Sequence, residues 1–254
     1  AGVCFSGSSG EHAFLTREER IAGIKACREV IGDGKIIAGA GAQTTAGALE
    51  LVKDVKEAGA DAALVLSPIG NTTADGMVKH YETLSEVGIP LVLYNHPAAT
   101  GINIDIEMFD RLIQIPNVVG MKETSGSLPF LTEILRKYST DEITLFTGCD
   151  DLTLPSCAIG LKAIILATAN VAPKQVLDIV KYVNEGKIEE AQKIYWNLAP
   201  LTRVIGDEAN FPSLLKKAVE LTGHAAGDPR LPMIPATDEE TAEIEEALKI
   251  AGVK

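Results

Sequence analysis

The sequence predicts an α/β fold with a parallel sheet, and two observations support this prediction. Short apolar runs rich in β-branched residues alternate with longer segments in which apolar residues recur every three or four positions. This alternation is typical of repeated strand–helix units, which build a parallel sheet covered by helices. The length of 254 residues also suits an α/β barrel, which uses about 250 residues as one domain.

Seven segments have the composition of buried strands, namely residues 2–6, 35–39, 62–67, 90–95, 118–123, 143–147 and 163–167. Helical periodicity lies between them, most clearly at residues 17–31, 44–58 and 74–87. Gly59 and Gly88 are predicted to end the last two of these helices. Toward the C-terminus the strand pattern stops, and four helices are predicted at residues 173–183, 188–205, 212–221 and 239–250.

Seven strands are one fewer than a closed parallel barrel contains. An open parallel sheet would leave two exposed edges, so we expect that the first βα unit of the barrel is absent from this chain. On this interpretation residues 1–171 form strands two to eight of a (β/α)8 TIM barrel. Residues 172–254 then form the last barrel helix and a C-terminal helical extension.

The composition argues against several classes of partner. The formal net charge is -12 and no run of Lys or Arg is present, whereas nucleic-acid binders need clustered basic residues. No segment approaches the roughly 18–20 uninterrupted apolar residues of a membrane span, and no basic segment followed by an apolar one begins the sequence. We therefore expect a cytoplasmic protein that binds neither nucleic acid nor membrane.

The cysteines and histidines do not indicate a metal site. The four cysteines show no C-x-x-C spacing, and the four histidines show no H-x-x-x-H spacing. We expect reduced thiols and no metal.

The fifth predicted strand ends in a lysine. Period-two alternation predicts that Val118, Gly120, Lys122 and Thr124 share one face. If that face is interior, the amine of Lys122 loses the hydration that favours its ammonium form and can attack a carbonyl group. Gly120 would then leave volume for the lysine stem. The alternative is that Lys122 marks an exposed strand end, with Thr124 in a turn.

The fourth predicted strand ends in Tyr94-Asn-His-Pro97. The phenol of Tyr94 both donates and accepts hydrogen bonds, so it can move protons between a carbinolamine hydroxyl and a substrate. Alternatively, Tyr94 caps the core with its hydroxyl in solvent. His96 has the same parity, and we expect it to pack or to be exposed rather than to face a substrate.

The first predicted strand runs into a loop of small residues, Gly7-Ser-Ser-Gly-Glu11. Backbone N–H groups and hydroxyls in such a loop can bind an anion such as a carboxylate. A plain turn is the alternative, since loops of this composition are common.

Three motifs, in this order and separation, resemble the dihydrodipicolinate synthase and N-acetylneuraminate lyase family. They are Gly7-Ser-Ser-Gly-Glu11, Tyr94-Asn-His-Pro97 and Gly120-Met-Lys-Glu-Thr124. Further similarity extends the resemblance over essentially the whole chain, at Gly148-Cys-Asp-Asp151, Thr168-Ala-Asn170 and Arg230-Leu-Pro232.

The resemblance implies a class I lyase that uses pyruvate or a similar 2-oxo acid. Lys122 would form the imine, so that no cofactor is needed, and Tyr94 would relay protons. Ser8 and Ser9 match the hydroxyl pair that binds the pyruvate carboxylate and supports the relay.

The second substrate implied by the resemblance is an aldehyde. Thr124, Gly148 and Asp150 would contact it. The family also implies a homo-oligomer, a dimer or a tetramer.

Two departures from the family pattern stand out, one at the site of the second substrate and one in the proton relay. Dihydrodipicolinate synthases usually carry an Arg shortly after the tyrosine motif, where this chain has Ala99 within Ala98-Ala-Thr-Gly101. Losing a guanidinium removes charge-assisted bonds, so a dianionic second substrate is less expected. The family's tyrosine that reaches a neighbouring subunit's site is also replaced, within Pro68-Ile-Gly-Asn71, so we expect the proton relay to be incomplete or rerouted.

The first departure, with the Ala99-Thr-Gly101 ending, favours aldol addition or cleavage of a 2-keto-3-deoxy sugar acid, with Thr124 and Asp150 binding a hydroxylated aldehyde. The leading alternative is 4-hydroxy-tetrahydrodipicolinate synthase of lysine biosynthesis. A 2-oxo acid dehydratase and a non-catalytic barrel that binds a 2-oxo acid are further alternatives.

Overall fold

The structure of the chain is a computed structural model that describes residues 2–70, 72–206 and 210–253. The chain forms two compact units, residues 1–146 and residues 147–254. The division after residue 171 follows the end of the strand pattern, and it stays a prediction.

The described residues contain seven strands, at or near the predicted positions. They are β1 Gly2–Phe5, β2 Lys35–Gly39, β3 Ala62–Leu66, β4 Leu91–Asn95, β5 Val118–Glu123, β6 Thr144–Thr147 and β7 Ala163–Ile164. The strands follow their sequence order in the sheet, and each pair from β1 to β5 is parallel. The predicted α/β class with seven strands is therefore confirmed.

The first three helices of the first unit follow the predicted amphipathic segments, and three further helices were not among those segments. In chain order, these helices are α1 Arg17–Ile31, α2 Thr45–Glu57, α3 Ala74–Ser85, α4 Pro97–Thr100, α5 Ile106–Leu112 and α6 Leu128–Lys137. Side-chain caps begin most of them: the Thr16 hydroxyl accepts the Glu19 N–H, and the Glu19 carboxylate accepts the Thr16 N–H in return. Gly59 and Gly88 follow α2 and α3 with φ of 94° and 70°, a conformation that favours glycine and ends a helix.

A β-bulge changes the predicted alternation in β5. Val118 pairs with Leu91, but Gly120 pairs with the next residue, Val92, so that Val119 is the extra residue. Gly120 and Lys122 share a face as predicted, but Val118 does not share it. Gly120 also permits close approach of β6, because a Cβ atom there would lie 1.8 Å from the Thr144 carbonyl oxygen.

The interior face of the first unit's strands forms a small apolar cluster around Tyr94. Its members are Ala62, Leu64, Val92 and Tyr94, with Cys4, Ile37, Leu66 and Phe146 packed against them. Burial of this face removes water from the side chains at the strand ends. A polar group that points into the cluster therefore needs a hydrogen-bond partner there.

The second unit is mainly helical. Its helices are α7 Thr153–Ala158, α8 Pro173–Asn184, α9 Ile188–Ile205, α10 Ser213–Leu221 and α11 Asp238–Ile250. The last four pack around one apolar core that includes Ile179, Leu201, Ile244 and Leu248. None of the described helices is both long and apolar enough to span a membrane.

One buried histidine of the first unit carries a large pKa shift. His80 on α3 is 4% exposed, and its Nδ1 lies 3.0 Å from the Thr45 hydroxyl. Its Nε2 has no hydrogen-bond partner among the described residues. Because the imidazolium would lose its hydration here, burial lowers the pKa of His80 to about 4.

We predict that His80 makes the folded state less stable in acid. Between about pH 6.5 and pH 4 the unfolded chain binds a proton on this ring and the folded chain does not, so stability falls as the pH falls. The loss attributable to His80 should be about 1–3 kcal/mol near pH 4. Denaturant unfolding from pH 7 to pH 4 should show a shallower decline for His80→Gln than for the wild type. His224→Gln, at an exposed position, is the control and should keep the wild-type decline.

Candidate active site

Two side chains lie next to each other on the interior face of β4 and β5. Tyr94 and Lys122 are register partners, and Lys122 Nζ donates a hydrogen bond of 3.1 Å to Tyr94 Oη. Lys122 is 8% exposed, so the predicted burial of its side chain is confirmed. A primary amine is therefore close to a hydroxyl that can take up and return its proton.

The surroundings of the amine are mostly apolar. Nζ lies 4.2 Å from the centre of the Tyr94 ring, and no carboxylate among the described residues forms an ion pair with it. The Cys4 thiol is also near: burial raises the pKa of Cys4, and the charge of Lys122 acts in the opposite direction. The described hydrogen-bond partner of the amine is therefore a phenol, in a position to exchange protons with it.

The small-residue loop brings a second hydroxyl to the site. Ser8 Oγ lies 3.3 Å from Tyr94 Oη, so Ser8, Tyr94 and Lys122 form a continuous chain of hydrogen-bonding groups. Residues Ser8–Gly10 form a single 3-10 turn, in which Gly10 N donates to Gly7 O at 3.0 Å. Ser9 is the next residue of this turn, and its contact with a carboxylate stays a prediction.

Arg20 and His12, which the sequence analysis did not identify, also hold the loop that carries Ser8 in place. The guanidinium of Arg20 on α1 donates a hydrogen bond to the backbone oxygen of His12. The His12 ring bonds to the backbone of Gly7. Burial, and then the charge of Arg20, lower the pKa of His12. A neutral His12 therefore anchors the loop that carries Ser8 and Ser9.

The two remaining predicted side chains near this end of the sheet differ in role. The His96 ring stacks on Tyr94, with ring centres 5.5 Å apart and planes 10° apart, which confirms the expected packing role. Thr124 follows β5, and its backbone N–H donates to Asn95 O at 2.9 Å. The Thr124 hydroxyl is buried without a hydrogen-bond partner among the described residues. The predicted contact of this hydroxyl with a substrate stays a prediction.

Behind Tyr94 and Lys122 lies a buried polar pair that the sequence analysis missed. Asn95 and Glu123 are register partners on the opposite face, and Asn95 Nδ2 donates to Glu123 Oε2 at 2.6 Å. Burial raises the pKa of Glu123, while hydrogen bonds from Ser125 and Asn95 act in the opposite direction. The signal was present in the sequence, because parallel strands are buried on both faces and a charged residue in one of them requires a partner.

Gly148 and Asp150 belong to the second unit. The Asp150 carboxylate accepts the backbone N–H of Thr168 at 2.6 Å and that of Ala167 at 3.2 Å. It thereby fixes the segment that follows β7 to the one that follows β6. The predicted contacts of Gly148 and Asp150 with a second substrate stay predictions.

Neither departure from the family pattern lies in a described strand. Ala99 on α4 is exposed, and Gly101 ends this short helix with φ of 72°. In the second segment Ile69 is 53% exposed, and Asn71 lies outside the described residues.

A family model described as the dihydrodipicolinate synthetase family matches residues 1–251. The 4-hydroxy-tetrahydrodipicolinate synthase of Archaeoglobus fulgidus is 40% identical over 246 residues, which cover 96% of this chain and 84% of that protein. The enzyme of the same name from Methanothrix thermoacetophila is 37% identical, over 98% of this chain and 84% of that protein.

Solved structures of similar proteins agree with these relatives. The dihydrodipicolinate synthase of Aquifex aeolicus is 30% identical with a TM-score of 0.92, over 99% of this chain and 87% of that one. The chloride-inhibited enzyme of Acinetobacter baumannii, described as complexed with pyruvate, is 31% identical with a TM-score of 0.93, over 100% of this chain and 87% of that one.

We predict that the Asp150 carboxylate stabilises the second unit irrespective of any substrate contact. Asp150→Ala would leave the N–H groups of Ala167 and Thr168 without this acceptor, at a cost of about 1–3 kcal/mol in the free energy of unfolding. Chemical denaturation in the absence of ligand measures this loss. The exposed neighbour provides the control, and Asp151→Ala should unfold at the wild-type denaturant concentration. Equal stability of the two variants would contradict the prediction.

Proposed function

Because the chain belongs to the dihydrodipicolinate synthetase family of class I aldolase-type lyases, we propose that it forms a Schiff base between pyruvate and Lys122. The observation that carries the proposal is the buried Lys122 amine, 3.1 Å from Tyr94 Oη, with the Ser8 hydroxyl next to that phenol. Imine formation needs a nucleophilic nitrogen and a group that moves protons, and these residues provide both.

The proposed steps use these groups in order. Lys122 Nζ adds to the keto carbon of pyruvate, and the excess proton of the nitrogen passes through Tyr94 to the oxygen of the carbinolamine. A further proton from Tyr94, restored through Ser8, lets this oxygen leave as water and gives the protonated imine. The imine withdraws electrons from the adjacent methyl carbon, which loses a proton and becomes the nucleophilic carbon of an enamine.

The enamine then adds to an aldehyde, and hydrolysis of the new imine releases the product and restores the amine. Ser8 and Ser9 are proposed to bind the pyruvate carboxylate. Thr124, Gly148 and Asp150 are proposed to contact the aldehyde. No cofactor enters this scheme, since the imine itself stores the electron pair.

For the second substrate we propose the reaction of the named relatives, the synthesis of 4-hydroxy-tetrahydrodipicolinate. Relatives up to 40% identical over nearly the whole chain carry this name, which favours it over the sugar-acid aldolase expected from the sequence. Subtracting the carbons of pyruvate from this product leaves an amino aldehyde with one carboxylate, aspartate semialdehyde.

Cleavage of a 2-keto-3-deoxy sugar acid remains the second candidate, and one specific observation favours it. Ala99 occupies the position where the synthases usually have an Arg, and an alanine cannot pair with the carboxylate of the aldehyde. A dehydratase and a non-catalytic 2-oxo acid-binding barrel share the same pyruvate site, but no structural feature favours them.

We also propose an architecture, a cellular location and an oligomeric state for this protein. The TM-scores to solved synthases support a (β/α)8 barrel with a C-terminal helical extension. Membership of the family supports a cytoplasmic homo-oligomer, a dimer or tetramer, and light scattering at several concentrations tests it. The absence of the first βα unit from this chain remains a prediction.

We predict that pyruvate becomes covalently attached to Lys122. Incubation with pyruvate and borohydride should reduce the imine to a stable adduct, which intact-mass and peptide-mass measurements assign to one lysine. Lys122→Ala should form no adduct, because it lacks the amine. Lys25→Ala, which removes an exposed lysine of α1, should react like the wild type. If the wild type forms no adduct, the proposed Schiff-base function is wrong.

We predict that the enzyme consumes pyruvate together with aspartate semialdehyde. Mass spectrometry should detect 4-hydroxy-tetrahydrodipicolinate or its dehydrated form, and Lys122→Ala should form neither. Release of pyruvate from a 2-keto-3-deoxy sugar acid, without condensation of the semialdehyde, would instead establish the aldolase. Loss of water with all carbons retained would indicate a dehydratase.

A further inference from the structure

The buried Asn95–Glu123 pair takes no part in the chemistry described above, yet it lies directly behind the two residues that do. Asn95 follows Tyr94 on β4 and Glu123 follows Lys122 on β5, and each residue of one strand is the register partner of its counterpart on the other. Asn95 is 0% exposed and Glu123 is 2% exposed. The two strand ends are therefore joined by one hydrogen-bonded pair on the interior face and another on the outer face.

The hydrogen bonds of this outer pair are matched donor to acceptor. Glu123 Oε2 accepts from Asn95 Nδ2 at 2.6 Å, and Oε1 accepts from Ser125 N at 2.5 Å. The Asn95 amide also donates to Asn103 Oδ1 at 3.1 Å and accepts from Ile104 N at 2.9 Å. The pair thus ties together β4, β5, the turn after β5 and the segment between α4 and α5.

Burying a carboxylate of this kind costs more free energy than burying an apolar side chain. No Lys, Arg or His among the described residues forms an ion pair with Glu123. Removing a carboxylate from water without a cation costs several kcal/mol, whereas an apolar side chain would pack without this cost. The hydrogen-bond geometry is therefore the property that distinguishes this pair from ordinary core packing.

We propose that Asn95 and Glu123 are positioning residues that hold Lys122 Nζ and Tyr94 Oη at the separation required for imine formation. The inference rests on the proposed function. Each residue of the pair is one peptide unit from a reacting group, so a rotation or shift of either strand end moves that group. A displacement of about 1 Å can slow an enzymatic step by as much as about a hundredfold.

Exchanging donors and acceptors tests the pair directly. Glu123→Gln replaces one acceptor by a donor, so that two N–H donors face each other. Asn95→Asp replaces the donor by an acceptor, so that two oxygen acceptors face each other. The double variant restores a matched pair with reversed polarity: the new amide donates to the new carboxylate, and Ser125 N and Ile104 N keep acceptors. Glu133→Gln, at an exposed position on α6, is the control for the chemical change.

The measured quantity is the rate at which pyruvate and borohydride label Lys122. Each single variant should be slower by about tenfold or more, and the double variant should return to within about threefold of the wild type. Folded single variants that react at the wild-type rate, or a folded double variant no faster than the singles, would overturn the proposal. Failure of the wild type itself to form the adduct would instead refute the proposed function.

A double-mutant cycle with Tyr94 distinguishes a positioning role from a general loss of stability. Tyr94→Phe keeps the ring but removes the hydroxyl that the pair is proposed to align. In this background Glu123→Gln should slow labelling by less than about threefold, because coupled residues have non-additive effects. The same loss in both backgrounds would show that the pair is merely structural.

If Glu123→Gln does not unfold cooperatively, Asn103→Ala provides the test. It removes one partner of the Asn95 amide at an exposed position and leaves the bond to Glu123. A folded variant that labels about threefold more slowly supports the proposal, because it loosens the alignment only partly. A wild-type rate would overturn it.

Discussion

The parallel pairing of β4 with β5 is the constraint on which the candidate site depends. It makes Tyr94 and Lys122 register partners, so their side chains leave the same face at adjacent points of the sheet. The bulge at Val119 contributes to this arrangement, because it shifts the register before Gly120 and aligns Lys122 with Tyr94. Without the shift, the lysine would be paired one residue further along β4.

Burial determines the chemical environment of the Tyr94–Lys122 pair. The apolar cluster around Tyr94 excludes water from the stem of Lys122, and the amine has a phenol rather than a carboxylate as its hydrogen-bond partner. A salt bridge would stabilise the charged ammonium and suppress its reaction with a carbonyl group. The nearest buried carboxylate, Glu123, lies on the other face of the same strand, where Asn95 and Ser125 satisfy it.

Tyr94 and Lys122 differ in location from the two departures from the family pattern. Tyr94 and Lys122 lie on strands, where hydrogen bonds fix each backbone position. The described residues at the two departures lie outside the strands: Ala99 is exposed on the short helix α4, and Ile69 is exposed after β3. Exposed segments of this kind change without disturbing the sheet. The pairing of Tyr94 with Lys122 therefore does not depend on the residues of these segments.

The sequence by itself determined the α/β class, the seven strands and the shared face of Gly120 and Lys122, because periodicity and composition are local properties. It did not determine that Val118 leaves this face, since a bulge exists only relative to the partner strand. It did not assign Asn95 to Glu123 or Asp150 to the N–H groups of Ala167 and Thr168. Those partners lie between 17 and 28 residues apart in the chain, and only folding brings them within hydrogen-bond distance.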